Sequence, residues 1–225
     1  VAPAWRNQQM FNGLVGLNNL NIPVKTIVDV GAAAGTWTLL AKELWPACSY
    51  VLFEPLEERK GDLENLAASN DNIFIVPFAA GETDSEARFF VSNDLDGSGV
   101  AGNAVNTDEH IRVVKQTSIE LEIKKLNLKG PYIIKLDTHG YEVPIIEGSA
   151  QIINEVSAFI IECYGFRIAE SSLLFWEMCA YMNNLGFSLF NMVDLMNRPK
   201  DGAFWQCDAF FIRKEHPVFE TNGYD

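Results

Sequence analysis

The ten residues IIKLDTHGYE, positions 133–142, run from an apolar pair into a lysine, an aspartate, a histidine and a glutamate. Side chains alternate along an extended strand, so Lys135, Asp137 and His139 share a direction if the strand continues. A second apolar run, AFIIEC at 158–163, delivers Glu162 to a comparable strand end. An imidazole titrating near pH 6.5 beside carboxylates can take the proton of a weakly acidic hydroxyl while that oxygen attacks an electrophile. In that chemistry His139 is the base, Asp137 orients the imidazole or the hydroxyl, Lys135 pairs with a carboxylate, and Glu162 binds a second hydroxyl. Asp137, His139 and Glu162 are also oxygen and nitrogen ligands that Mg²⁺ or Mn²⁺ accept. No HxH or HxxxE cluster among these residues demands a metal, so the metal-free reading is preferred. Plainer roles exist as well: Asp137 as a helix cap, His139 as a turn residue, and Glu142 as an acid favoured by a helix N-terminus.

A second constellation lies upstream, in TIVDVGAAAGTWT at 26–38. A β-branched run ending in Asp29 feeds a turn with Gly31 and Gly35, which is how a strand enters a nucleotide-cradling loop and then a helix. The dinucleotide fingerprint requires glycines at relative positions one, three and six. Counting from Gly31, the third and sixth positions are Ala33 and Thr36, and no Gly-Lys-Ser/Thr ending supports a P-loop. What stands is Asp-x-Gly-x-x-x-Gly, which resembles the first motif of class I S-adenosylmethionine-dependent methyltransferases, with Ala33 in place of the usual middle glycine. The next strand ends in FEP, where Glu54 can accept hydrogen bonds from two ribose hydroxyls. A nicotinamide cofactor would use Glu54 equally well, so the glycine spacing decides against it.

Periodicity supplies the elements that must position these groups. A helix is expected over 5–18, ended by Pro23. Strands are expected at 26–30, 49–54, 72–79, 132–137 and 158–163, with helices between them. The segments 87–92 and 110–116 read as strands around a glycine-bearing loop at 93–109, which has the length of a lid. Thr117 with Glu120 reads as a capping box opening a helix to Leu126. A helix is expected over 142–153, and another ends at Gly186. Strands at 187–192 and 208–214 close the chain. The fold class is therefore α/β, a doubly wound, mainly parallel seven-stranded Rossmann-like sheet with an antiparallel edge strand. One domain over 1–225 is expected, with 1–23 as a helical extension.

The 225 residues are 48% hydrophobic and carry a formal net charge of −13. That charge disfavours nucleic acid and anionic membrane as partners. No apolar run reaches the roughly 20 residues of a membrane span. The N-terminus lacks a basic flank and apolar core, which argues against a signal peptide, and it lacks an initiator Met, which suggests a processed or excised chain. Cys48, Cys163, Cys179 and Cys207 form no CxxC and read as reduced thiols in a cytoplasmic protein.

The motifs VDVGAAAG, FEP, AAGETDSEARFF, IKLDTHGYEVPIIEGS, AFIIECY and QCDAFFI resemble, in order and spacing over 24–214, the FkbM family of methyltransferases. The stretch from Lys135 to Gly148 is the most specific, although the family commonly has Glu or Gln where this chain has His139. The resemblance implies a Rossmann-like fold, S-adenosylmethionine as donor with S-adenosylhomocysteine as product, and O-methylation of a small-molecule or glycan hydroxyl. A catalytically inactive nucleoside-binding module is the non-enzymatic rival. The expected donor-binding set is Asp29, Gly31, Ala33, Gly35, Trp37, Phe53, Glu54, Phe78, Ala79 and Asp137. The expected catalytic set is His139, Asp137, Lys135 and Glu162. Trp37, Tyr141, Tyr164 and Phe166 could stack on a sugar face, and 93–109 with 164–172 would set acceptor specificity.

Overall fold

The computed structural model describes residues 4–101, 110–170 and 172–224. Seven strands form the main sheet: β1 (Thr26–Val30), β2 (Ser49–Phe53), β3 (Ile73–Val76), β8 (Tyr132–Leu136), β9 (Val156–Tyr164), β10 (Phe187–Asn197) and β11 (Phe204–Arg213), in the order β10-β11-β9-β8-β1-β2-β3. All neighbours from β9 to β3 run parallel. The reversed strand is β11, antiparallel to both β9 and β10. It therefore lies one place in from the edge, and β10 forms the edge itself. The closing hairpin lets the chain pass to the outside and return to fill the gap.

The crossover helices cover both faces. Helices α1 (Ala4–Asn19), α2 (Thr36–Leu44) and α3 (Lys60–Ala68) lie over Ile27, Tyr50, Ile133, Ile160 and Phe210. Helices α4 (Ile119–Lys125), α5 (Glu142–Glu147) and α6 (Phe175–Asn184) cover Val28, Val51, Ile134, Phe159 and Phe211. Successive strand residues serve opposite cores, as the two-residue side-chain period requires. The capping residue of α4 is Ser118, whose hydroxyl accepts from Leu121 N–H at 3.3 Å, one place after the Thr117 expected from sequence. Thr117 instead donates to Glu122 at 2.8 Å. Helix α5 stops at Glu147, well short of 153.

The two strands without a place in the sequence reading belong to a separate four-stranded sheet, ordered β4-β7-β5-β6. It comprises β4 (Ala79–Ala80), β5 (Ser85–Phe90), β6 (Gly99–Val100) and β7 (Ile111–Thr117). β6 falls inside the expected lid: Gly99 and Val100 pair with Phe90 and Phe89. The lid residues 102–109 lie outside the described residues. No helix among the described residues is long and apolar enough to cross a membrane.

Candidate active site

The turn after β1 is left-handed three times: Gly31 at φ 76°, Ala33 at 47° and Gly35 at 78°. A Cβ on Gly31 would lie 2.2 Å from the Asp137 carbonyl oxygen, so that glycine lets the tips of β1 and β8 touch. Gly31 and Ala32 N–H both donate to the Phe53 carbonyl, at 3.0 and 3.1 Å, which ties the same turn to β2. Ala33 takes a left-handed conformation that costs an L-residue roughly 1–2 kcal/mol. Its N–H donates at 2.9 Å to Glu54 Oε2. Glu54 Oε1 accepts from Leu56 N–H at 3.0 Å, so one carboxylate braces the turn and the start of the next segment. Burial raises the Glu54 pKa, and those two backbone bonds work in the opposite direction. Each oxygen keeps a further lone pair for a ligand.

The strand period also aligns a row of ionisable groups above the α1–α3 core. Asp29 follows Ile27, Lys135 follows Ile133, Glu162 follows Ile160 and Asp208 precedes Phe210, each pair two residues apart on one face. Asp29 sits opposite Lys135 in the β1–β8 register, and Glu162 opposite Asp208 in β9–β11. Lys135 Nζ donates to Asp137 Oδ2 at 2.9 Å, lies 3.7 Å from Asp29 Oδ1, and sits 5.7 Å from the Trp37 ring centre. Burial alone would lower the Lys135 pKa, but Asp137 and Asp29 outweigh it and raise it, so the ammonium holds its proton. Burial likewise pushes Asp137 upward, yet Lys135 and His139 bring it down to about 2. Glu162 goes the other way: burial, then Asp137 and Asp208, hold it well above the carboxylate range. The surroundings thus push two neighbouring carboxyls in opposite directions, favouring the charged form of Asp137 and the neutral form of Glu162. Glu162 also accepts from the Tyr164 hydroxyl and from Gln206 Nε2.

His139 follows the end of β8 in a tight turn, at φ 54°, with Gly140 at 101°. Its Nε2 is 3.6 Å from Glu162 Oε2 and 4.0 Å from Asp137 Oδ1, and its Nδ1 is 3.1 Å from the Ser98 carbonyl. Glu142 does not join this group. Its Oε1 accepts from Gly140 N–H at 2.9 Å and Thr138 Oγ1 at 3.0 Å, so it fastens the turn from behind.

These groups border a cavity of about 590 Å³ at the carboxyl ends of β1, β2, β8 and β9 and the amino end of the reversed β11. That is where a doubly wound sheet receives ligands. Lys135, Asp137, His139 and Glu162 all line it, as do Gly31, Ala33, Trp37, Phe53, Glu54, Phe78 and Ala79. Asp29 and Gly35 do not. Asp29 is fully buried, accepts from Thr38 Oγ1 at 2.7 Å and faces Lys135, so it supports the site from beneath. Gly35 packs against Leu66, whose Cδ2 would be 2.5 Å from an added Cβ. Of the expected stacking aromatics, Trp37 and Tyr141 border the cavity. Tyr164 is spent on Glu162, and Phe166 lies under the Arg198 guanidinium at 3.9 Å. Sequence reasoning missed Gln206, Asp208, Arg59 and Asp96, which also line the wall. Only the antiparallel register of β11 against β9 reveals the first two.

A family model described as the Methyltransferase FkbM domain matches residues 29–189. The N-methyltransferase NodS from Bradyrhizobium japonicum WM9 superposes with a TM-score of 0.52 at 9% identity, over 95% of this chain and 99% of that one. A 1,6-didemethyltoxoflavin-N1-methyltransferase from Burkholderia thailandensis, with 1,6-didemethyltoxoflavin and S-adenosylhomocysteine bound, gives 0.49 at 13% identity, over 93% and 80% of the two chains. No curated protein matches the sequence.

Proposed function

The chain belongs to the FkbM methyltransferase family, and from that premise we propose that it transfers a methyl group from S-adenosylmethionine to a hydroxyl of a sugar, glycan or natural product. The observation that carries the hydroxyl reading is the group at one end of the cavity: the His139 imidazole with Asp137 and Glu162 around it, 4.0 and 3.6 Å from Nε2. Carboxyl side chains outnumber cationic ones on the described cavity wall, which suits a cationic sulfonium donor. Glu54, with lone pairs left outward, would hold the ribose. The turn from Gly31 to Trp37 would hold the amino-acid end, and Phe53, Phe78 and Ala79 would flank the base.

When bound, the donor supplies an electrophilic methyl whose thioether leaving group needs no acid. The chain has to place the acceptor oxygen and take its proton. His139 Nε2 takes that proton, a contribution of roughly 10²–10⁴ in rate. Asp137, pinned by Lys135, orients the acceptor hydroxyl or the imidazolium that forms. Glu162, whose neutral form is favoured by burial and by Asp137, binds a neighbouring oxygen of the acceptor. A cytoplasmic setting suits the four free thiols, and the net charge of −13 disfavours nucleic acid as a partner.

One observation favours a second reading. Ligand atoms of Asp137, His139 and Glu162 all lie within 4.8 Å of one another, a spacing that Mg²⁺ or Mn²⁺ could bridge to acidify the hydroxyl. The test is transfer of radiolabelled methyl to panels of sugars, natural-product alcohols and amines, with and without EDTA. Label on alcohols in EDTA supports the metal-free hydroxyl reading. Label confined to amines overturns it. Loss in EDTA with recovery in Mn²⁺ moves proton removal to a metal.

A further inference from the structure

The contact between His139 and the segment from Leu95 to Val100 has a chemical consequence. A backbone carbonyl has no proton to give. At 3.1 Å from the Ser98 carbonyl, Nδ1 of His139 must therefore be the donor. In the neutral ring the other nitrogen then carries the lone pair. Nε2 faces Glu162 and Asp137 at 3.6 and 4.0 Å, both beyond hydrogen-bond length, so its lone pair is left for a third group.

We propose that the Ser98 carbonyl fixes His139 as its Nδ1–H tautomer, and that Gly99 is the positioning residue that lets the carbonyl approach. This rests on the reading of His139 as the proton acceptor. A Cβ on Gly99 would stand 3.1 Å from the Thr138 carbonyl oxygen and 3.4 Å from His139 Cβ, so a methyl there already asks a few tenths of an ångström of the contact, and a branched side chain asks more. The segment is anchored on its other side. Gly99 and Val100 pair with β5, and Ser98 Oγ accepts from Ser92 N–H at 3.0 Å. Asp96 meets the Arg59 guanidinium at 2.5 Å, beside Glu54 on the donor side of the cavity. One short segment thus reaches from the tip of β2 to the tip of β8. It sets which imidazole nitrogen can accept the acceptor's proton. The groups facing the ring are Asp137, Glu162 and the Tyr164 ring at 6.4 Å, Glu142 acts on it from behind the turn, and only the Ser98 carbonyl engages Nδ1 among the described residues.

The experiment is a long-range ¹H–¹⁵N correlation spectrum of protein labelled at histidine, recorded above about pH 8.5, two units over the ordinary imidazole pKa. The sequence holds three histidines, and those of His139 are the signals lost in His139→Gln. The native protein should show His139 with Nδ1 protonated and Nε2 bare. Gly99→Val should mix in the Nε2–H tautomer, and the single-turnover rate should fall in proportion to the Nδ1–H fraction that remains, with donor KM unchanged. The exposed Asp96→Asn should give a smaller shift the same way, so the result does not depend on Gly99→Val folding. A native His139 carrying its proton on Nε2 overturns the proposal. So does a Gly99→Val protein whose rate falls while the tautomer stays native. Failure to methylate any hydroxyl would leave the spectrum unaffected, so the two readings fail separately.

Discussion

Replacing Glu54 with alanine separates two duties that the structure gives to one carboxylate. Its oxygens accept from Ala33 and Leu56 N–H at 2.9 and 3.0 Å, and the side chain is only 8% exposed. Hydrogen bonds to a charged group contribute about 1.5–3 kcal/mol each, and a buried donor left without its acceptor costs about 1–3 kcal/mol. The Glu54→Ala protein should therefore melt earlier, because the Gly31–Gly35 turn loses its brace. It should also bind S-adenosylmethionine about 2–3 kcal/mol more weakly, roughly 30- to 150-fold in Kd, because the ribose hydroxyls lose a charged acceptor. Glu54→Gln keeps one acceptor oxygen but turns an amide N–H toward a backbone N–H, and should fall between the two. Calorimetric titration with S-adenosylmethionine and S-adenosylhomocysteine, run beside thermal melts, measures both effects. A folded Glu54→Ala protein that melts early but binds with native affinity would reduce Glu54 to a strut and refute the ribose assignment. Native melting and native affinity together would refute both duties.

Gly31→Ala places a methyl 2.2 Å from the Asp137 carbonyl at a left-handed φ, and should cost at least about 2 kcal/mol in urea unfolding; a native midpoint would contradict the contact between β1 and β8. His139→Gln should keep donor affinity and lose roughly 10²-fold or more in turnover, measured under single-turnover conditions. Near-native turnover would leave Asp137 as the remaining base. Glu162 binds its proton more tightly folded than unfolded, so the native state loses stability as pH rises from the unfolded carboxyl value of about 4.3 through the raised folded value. Glu162→Gln carries no such proton, so its melting temperature relative to the native protein should climb across that window, and parallel curves would show that Glu162 is ionised.

Both the parallel sheet and most of the site could be read from the sequence because they rest on local rules. Asp29, Gly31 and Gly35 announce a strand and a left-handed turn, and the alternation along 133–139 orders Lys135, Asp137 and His139. The roles of individual carboxylates were less legible because they depend on partners far along the chain. Asp29 reads as a ligand contact but is sealed under Thr38 and Lys135. Glu142, by contrast, reads as an acid at a helix N-terminus and does stand in the first turn of α5, bonded to its near neighbours Gly140 and Thr138. Gln206 and Asp208 begin an ordinary apolar strand, and nothing local says that the strand enters beside β9 with those residues facing Glu162. The β6 pairing was hidden for a similar reason: two residues, Gly99 and Val100, carry no strand signal, and β5 alone makes them one.

The place of β11 bears on how the molecule is made. A ribosome delivers β10 before β11, yet in the finished sheet β11 stands between β9 and β10. A nascent chain that has emerged only through β10 offers a gap one strand wide, flanked by open hydrogen-bonding edges. It also lacks Phe210 and Phe211, which are fully buried on opposite faces and complete both cores. Closure of the fold and arrival of Gln206 and Asp208 at the cavity are therefore one event, which waits for β11. Until then the chain can display neither a finished core nor a finished site, and the unpaired edge of β9 is the surface most open to capture by another chain.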